Sequence, residues 1–191
     1  MFGMSPLEIA AVVTTLISVI LTVRQNILCW PTGIVGVALY SVVFCESRLY
    51  ADMGLQVVYL ALSVYGWYAW IRGGTGGGAL EVSKSPRREL LISIVAAAAF
   101  AVILGTLLRR ATDAALPYID STLTSFSLAA QWLMTRKLLE NWVIWASVDV
   151  VYVGMFYFKA LYLTSALYAV FLVLALLGYR EWKRALVLRP A

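Results

Sequence analysis

Histidine is absent from this chain of 191 residues, and cysteine occurs only twice. The first absence removes the commonest metal ligand and the usual proton shuttle at neutral pH. The two thiols, Cys29 and Cys45, lie sixteen residues apart on one apolar segment. On a helix that separation is about 24 Å, too far for a disulfide, so both read as small apolar fillers. Charge is also scarce: 13% of residues are Asp, Glu, Lys or Arg, against about 25% in a soluble domain. The few acids are scattered singly, with no nucleophile beside a base and no metal-ligand cluster, which argues against an enzyme and against a bound cofactor. No Lys or Arg precedes the first apolar run, and that run lacks a small-residue cleavage site, so it reads as a retained helix rather than a secretory signal.

What is abundant is apolar surface. Hydrophobic residues make up 62% of the chain, with mean hydropathy +0.86. Seven apolar segments can be drawn, at about 7–23, 28–45, 50–71, 90–108, 118–135, 141–158 and 161–179. Each matches the length needed to cross a bilayer. The expected fold is therefore an all-α polytopic membrane protein with seven transmembrane helices. Pro31 falls in the first turn of the second helix, where its missing N–H costs nothing, and Asp120-Ser121 offers a cap for the fifth. The run Gly73 to Gly78, followed by Lys84, Pro86, Arg87 and Arg88, reads as a flexible linker; it lacks the Gly-Lys-Ser/Thr ending of a phosphate loop. With the N-terminus outside, eleven Lys and Arg fall on the cytoplasmic side and four (Arg48, Arg109, Arg110, Lys159) on the outer side. That bias predicts N-out, C-in. The net charge of +5 reports loops and lipid head groups, with no nucleic acid implied.

An internal repeat is legible. Asn26 and Trp30 match Asn141 and Trp145 at an offset of 115; Leu55, Gly66 and Trp70 match Leu167, Gly178 and Trp182 at an offset of 112. Three helices (7–71), a loop and linking helix (72–117) and three more helices (118–182) make parallel repeats in a 3+1+3 plan, with a solute site expected between the halves.

Polar residues concentrate on the third, fifth and sixth helices. Asn141, Trp142, Trp145, Asp149 and Tyr152 fall within roughly a third of one helix circumference. Trp142, Trp145 and Asp149, at i, i+3 and i+7, stack along one wall. A carboxylate at membrane depth costs several kcal/mol unless it faces a partner or a wet cavity. Indole faces attract a flat cation. Gln56, Ser63 and Gln131 interrupt otherwise apolar stretches, and with Tyr59 they complete the expected substrate-binding set. The competing readings are structural: interhelical glue for the glutamines, a neighbouring bond for Asp149, an interfacial belt for Trp142 and for Trp67, Tyr68 and Trp70, and dipole partners at helix starts for Asp52 and Asp120.

The stretches Asn26 to Gly36 (NILCWPTGIVG), Leu49 to Tyr59 (LYADMGLQVVY), Tyr65 to Trp70 (YGWYAW) and Asn141 to Asp149 (NWVIWASVD) resemble the PnuC family of bacterial vitamin transporters. The resemblance runs roughly from Ile17 to Trp182. A W-x-x-W-x-x-x-N/D pattern on the sixth helix marks members that carry nicotinamide riboside, and here it reads Trp142, Trp145, Asp149. The resemblance implies a SWEET-like 3+1+3 fold, a homotrimer in the bacterial inner membrane, and facilitated diffusion of nicotinamide riboside driven by cytoplasmic phosphorylation. Relatives that carry thiamine or riboflavin differ at this motif, which leaves another nucleoside-like vitamin as the alternative. A non-transporting membrane scaffold is the reading of a different class.

Overall fold

A proline or a capping residue sets where several of the helices begin. In the computed structural model, which describes residues 5–46, 50–111 and 116–188, helix α1 (Pro6–Val23) opens on a capping box. The Ser5 hydroxyl accepts from the Glu8 N–H, the Glu8 carboxylate accepts from the Ser5 N–H, and Pro6 starts the first turn. This satisfies two of the orphan donors at the helix start. α2 (Cys29–Glu46) carries Pro31 in its first turn as expected, and α3 (Tyr50–Arg72) follows. α4 (Arg87–Ala111), α5 (Pro117–Thr135), α6 (Asn141–Phe158) and α7 (Tyr162–Val187) complete the chain. The expected Asp120-Ser121 cap is not formed. Pro117 starts α5 three residues earlier, and the Ser121 hydroxyl donates back to the Pro117 carbonyl instead. Helix α7 runs past the apolar segment at its C-terminal end, because Arg, Glu, Lys and Ala continue a helix well after hydropathy falls. Ser47, Arg48, Leu49 and Arg189, used in the segment and charge readings, lie outside the described residues, as does the side chain of Asp52.

The molecule is all-helical apart from one isolated bridge, Ser83 to Leu138, among the described residues. Four helices, α1, α4, α6 and α7, are long and apolar enough by length and composition to cross a membrane. α3 and α5 fall below that hydropathy because they carry Gln56, Ser63, Thr124, Ser127 and Gln131. Their outward residues remain apolar, as at Val57 and Val64 of α3 and Ile119 and Trp132 of α5.

The packing forms a ring. α1 lies against α2, α2 against α3, α3 against α5, α5 against α6, α6 against α7, and α7 closes back on α1. α4 stands outside, packed on α5. Its buried Ala97, Ala101 and Gly105 recur every fourth residue. A side chain at Gly105 would strike the Tyr118 ring and Ser121, so the stripe lets the two helices approach closely.

At one end of the ring four indoles form the core. Trp30 meets Trp70 edge to face at 5.3 Å, and Trp142 meets Trp182 edge to face at 5.4 Å. Trp70 and Trp182 join the pairs at 5.8 Å. Val23, Cys29, Val82, Leu139 and Ala175 fill around them. Trp70 is therefore a core residue, not part of an interfacial belt, whereas Trp67 and Tyr68 on the same helix are exposed.

The correspondences between the halves follow one offset, 112. The Trp30 ring occupies the notch left by Gly66, and the Trp142 ring the notch left by Gly178. The Trp70 indole N–H donates to the Met134 carbonyl, and that of Trp182 to the Thr22 carbonyl, both at 3.1 Å. The α1–α2 turn places Gln25 at φ 55°, and the α5–α6 turn places Lys137 at φ 56°. The offset of 115 for Asn26 and Asn141 is thereby corrected. Asn26 sits inside its turn and accepts from the Leu28 N–H; Asn141 begins α6 and donates to the Leu138 carbonyl. Trp142, not Trp145, is the counterpart of Trp30, and the same offset matches Asp149 to Val37.

Candidate functional site

Inside the ring lies a cavity of about 410 Å³, lined by residues of all six ring helices. That volume is in the range of about 300–1,000 Å³ usual for small-molecule sites. It ends against Trp30 and Trp142, behind which Trp70, Trp182 and Val82 pack.

α6 forms one wall. Trp142, Trp145 and Asp149 all line the cavity, as their i, i+3, i+7 spacing requires. Trp142 and Asp149 are buried to 3% and 4% exposure, while Trp145 is half-buried. α3 supplies the same spacing in Gln56, Tyr59 and Ser63, and α5 adds Gln131. Seven of the nine residues expected from the sequence thus meet around one space.

Asn141 and Tyr152 do not line it. Asn141 is fully buried at the α5–α6 turn, where its side-chain amide caps the turn carbonyl of Leu138. Its place on the helical wheel was right, but its position at the first residue of α6 puts it beyond the end of the cavity. Tyr152 stacks on Tyr168 at 4.4 Å and on Phe156 at 5.8 Å. It supports Tyr168, which does line the cavity.

Three groups of lining residues were missed. α2 contributes Trp30, Gly33, Val37 and Tyr40; α7 contributes Tyr168, Phe171 and Ala175; α1 contributes Thr15, Ser18, Val19 and Thr22. A single offset of 112 would have found most of them. It carries Trp142, Trp145 and Asp149 onto Trp30, Gly33 and Val37, and it carries Gln56, Tyr59 and Ser63 onto Tyr168, Phe171 and Ala175.

Asp149 is the one formally charged residue of the lining, and no Lys or Arg among the described residues joins it there. The cavity is otherwise aromatic on α2, α3, α6 and α7, with two carboxamides and several hydroxyls. The indole N–H groups of Trp30 and Trp142 are buried without a hydrogen-bond partner, each at a cost of about 1–3 kcal/mol. Such a lining can take a flat solute with positive charge and several hydrogen-bonding groups, and among the described residues it holds no nucleophile–base pair.

A sequence model described as nicotinamide mononucleotide transporter matches residues 5–184. The nicotinamide riboside transporter PnuC of Escherichia coli (strain K12) is 27% identical, over 95% of this chain and 86% of its own length. The riboflavin/roseoflavin transporter RibM of Streptomyces davaonensis is also 27% identical, over 87% of this chain and 79% of its own. The crystal structure of the vitamin B3 transporter PnuC has a similar fold, with a TM-score of 0.72 at 24% identity, over 95% of this chain and 82% of that one.

Proposed function

This chain belongs to the nicotinamide mononucleotide transporter family, and from that premise we propose that it carries nicotinamide riboside across the bacterial inner membrane. The observation that carries the choice of solute is the wall of Trp142, Trp145 and Asp149 facing Gln56 and Gln131 across one cavity. The pyridinium of the riboside lies against indole faces, gaining about 0.5–2 kcal/mol per contact. Asp149 balances its charge or accepts from the ribose hydroxyls. The glutamines offer both donors and acceptors to the carboxamide and the sugar.

The same lining selects against a phosphorylated solute. A phosphate charge brought to about 6 Å from Asp149 at an effective dielectric constant of about 20 costs about 3 kcal/mol, and no cation of the lining offsets it. The riboside, rather than the mononucleotide of the family's description, is the species the cavity suits.

The chain is a 3+1+3 arrangement of parallel repeats, SWEET-like, with units at 7–71, 72–117 and 118–182. The ring contacts and the single offset of 112 support it, since exchanging α1, α2 and α3 for α5, α6 and α7 maps every ring contact onto another. Seven spans in the lipid bilayer follow, with the N-terminus outside and the C-terminus in the cytoplasm. Transport is facilitated diffusion by alternating access in a homotrimer. No coupling-ion site is needed.

Titration calorimetry on the detergent-purified protein tests the solute, with nicotinamide riboside, its mononucleotide, thiamine and riboflavin as titrants. Tight binding of the riboside alone is expected. The likeness to RibM makes riboflavin the second reading, and tighter binding of riboflavin or thiamine would replace the first. Uptake into liposomes then separates a carrier from a non-transporting scaffold.

A further inference from the structure

The six-helix ring closes through two seams between its halves, α1 against α7 and α3 against α5. Each seam has the same indole hydrogen bond, Trp182 to the Thr22 carbonyl and Trp70 to the Met134 carbonyl. Beyond that bond the seams differ. Across α3/α5, Tyr65 stacks on Trp132 at 5.6 Å with the rings 10° from parallel. At the matched positions of the α1/α7 seam stand Leu177 and Ile20, which cannot form an aromatic stack.

The larger difference is a clasp. The segment 79–86, which leaves α3, lies over the α5–α6 turn and binds both sides of the α3/α5 seam. The Leu80 N–H donates to the Trp70 carbonyl of α3. On the other side, the Ser83 N–H donates to the Lys137 carbonyl, the Leu139 N–H to the Ser83 carbonyl, and the Ser85 N–H to the Glu140 carboxylate. The Lys137 ammonium donates to the Leu80 carbonyl and sits 4.5 Å from the centre of a Trp70 ring. Val82 is driven to 2% exposure in the tryptophan core. The Arg136–Glu89 ion pair, at 2.6 Å, ties the turn to α4 as well. At the α1–α2 turn the residue matched to Lys137 is Gln25, and no described segment lies over that turn in a comparable bridge.

We propose that the α3/α5 seam is the fixed hinge of the transport cycle, and that the cavity opens at its tryptophan end by parting α1 from α7. This rests on the carrier reading above. Segment 79–86 keeps the hinge closed, with Val82 and Lys137 as positioning residues, while the Trp182–Thr22 hydrogen bond is the one that breaks. Opening then uncovers the part of the cavity wall formed by Cys29, Trp30 and Thr22.

Cys29 provides the reporter. It is a free thiol, 2% exposed, and lines the cavity at this end; Cys45, the other free thiol, is exposed and is replaced by serine. In membrane vesicles of known sidedness, a charged maleimide is added to the face where α7 ends, and the rate of Cys29 alkylation is followed. Trp182→Phe, which keeps an aromatic ring and removes the N–H, is expected to speed alkylation at least fivefold. Trp70→Phe is expected to change it less than twofold, because the clasp remains. Equal acceleration by both, or acceleration by neither, overturns the proposal.

A second arm does not depend on Trp182→Phe folding. Ser83→Cys with Leu138→Cys, in a background lacking both native thiols, joins the two bridged positions; strands so paired lie about 4.7–4.9 Å apart, within disulfide reach. Uptake of labelled nicotinamide riboside by the oxidised protein is expected to equal that of the reduced one. Loss of uptake that a reductant restores would show that the clasp must release, and would sink the proposal. Absence of uptake in the unmodified parent would instead remove the carrier reading, and the alkylation rates would still report which seam opens.

Discussion

Replacing Asp149 by alanine has two opposite consequences, and their combination is what tests the site. The carboxylate is 4% exposed in a cavity lined by no Lys or Arg among the described residues. In the empty protein it carries a desolvation cost with no cation beside it. Removing it is expected to raise the thermal midpoint of the ligand-free protein by a few degrees. In the complex the same carboxylate meets a pyridinium and the ribose hydroxyls. A hydrogen bond to a charged group contributes about 1.5–3 kcal/mol, and the screened attraction of the ring adds to it. Even the lower end exceeds the 1.4 kcal/mol that corresponds to a tenfold change in Kd. Titration calorimetry on Asp149→Ala is therefore expected to show the dissociation constant for nicotinamide riboside raised at least tenfold. Asp149→Asn, which keeps an acceptor and loses the charge, should fall between the two. Because the group is buried, raising salt from about 0.05 to 0.5 M should leave the parent's affinity nearly unchanged; screening acts on exposed charges far more than on enclosed ones. If Asp149→Ala binds the riboside within threefold of the parent, the carboxylate does not face the solute and the assignment of the α6 wall is wrong.

Other substitutions separate binding from packing. Trp145→Ala removes a half-buried cavity wall and is expected to weaken riboside binding tenfold or more in the same titration, with a small change in thermal midpoint. Gly178→Ala drives a methyl into the Trp142 ring; overpacking of about 1–3 kcal/mol should lower the thermal midpoint and displace Trp142, so binding falls as well. The two left-handed turn residues give a contrast. Gln25→Gly relieves a φ of 55° that costs a side-chain-bearing residue about 1–2 kcal/mol, and should raise the midpoint. Lys137→Gly relieves the same strain but deletes the bond to the Leu80 carbonyl and the contact with Trp70, and should lower it.

The helices were legible in the chain because bilayer thickness sets a length, and apolar runs of that length show in the sequence. So was the break between the first two segments, drawn at 7–23 and 28–45, which the α1–α2 turn occupies. The α6 wall was legible because helical spacing alone puts Trp142, Trp145 and Asp149 on one face. What those residues face was not, since helix periodicity describes one helix and a cavity belongs to six. The same limit hid the roles of Asn141 and Tyr152. Both share the angular sector of Asp149, but one lies at the helix start and the other behind Tyr168, and a helical wheel contains no depth and no neighbour.

Identical letters also misled where geometry differed. Two asparagines suggested an offset of 115, whereas the glycine notches under Trp30 and Trp142 require 112. A bulky ring needs a missing side chain opposite it, and that need pairs residues on different helices. Likewise the polar linker read as a flexible spacer, yet Val82 within it is buried among four tryptophans. One apolar residue between Glu81 and Ser83 carries no periodic signal. Its burial follows from the space left between the ends of α3, α5 and α7, and that space exists only once the ring has closed.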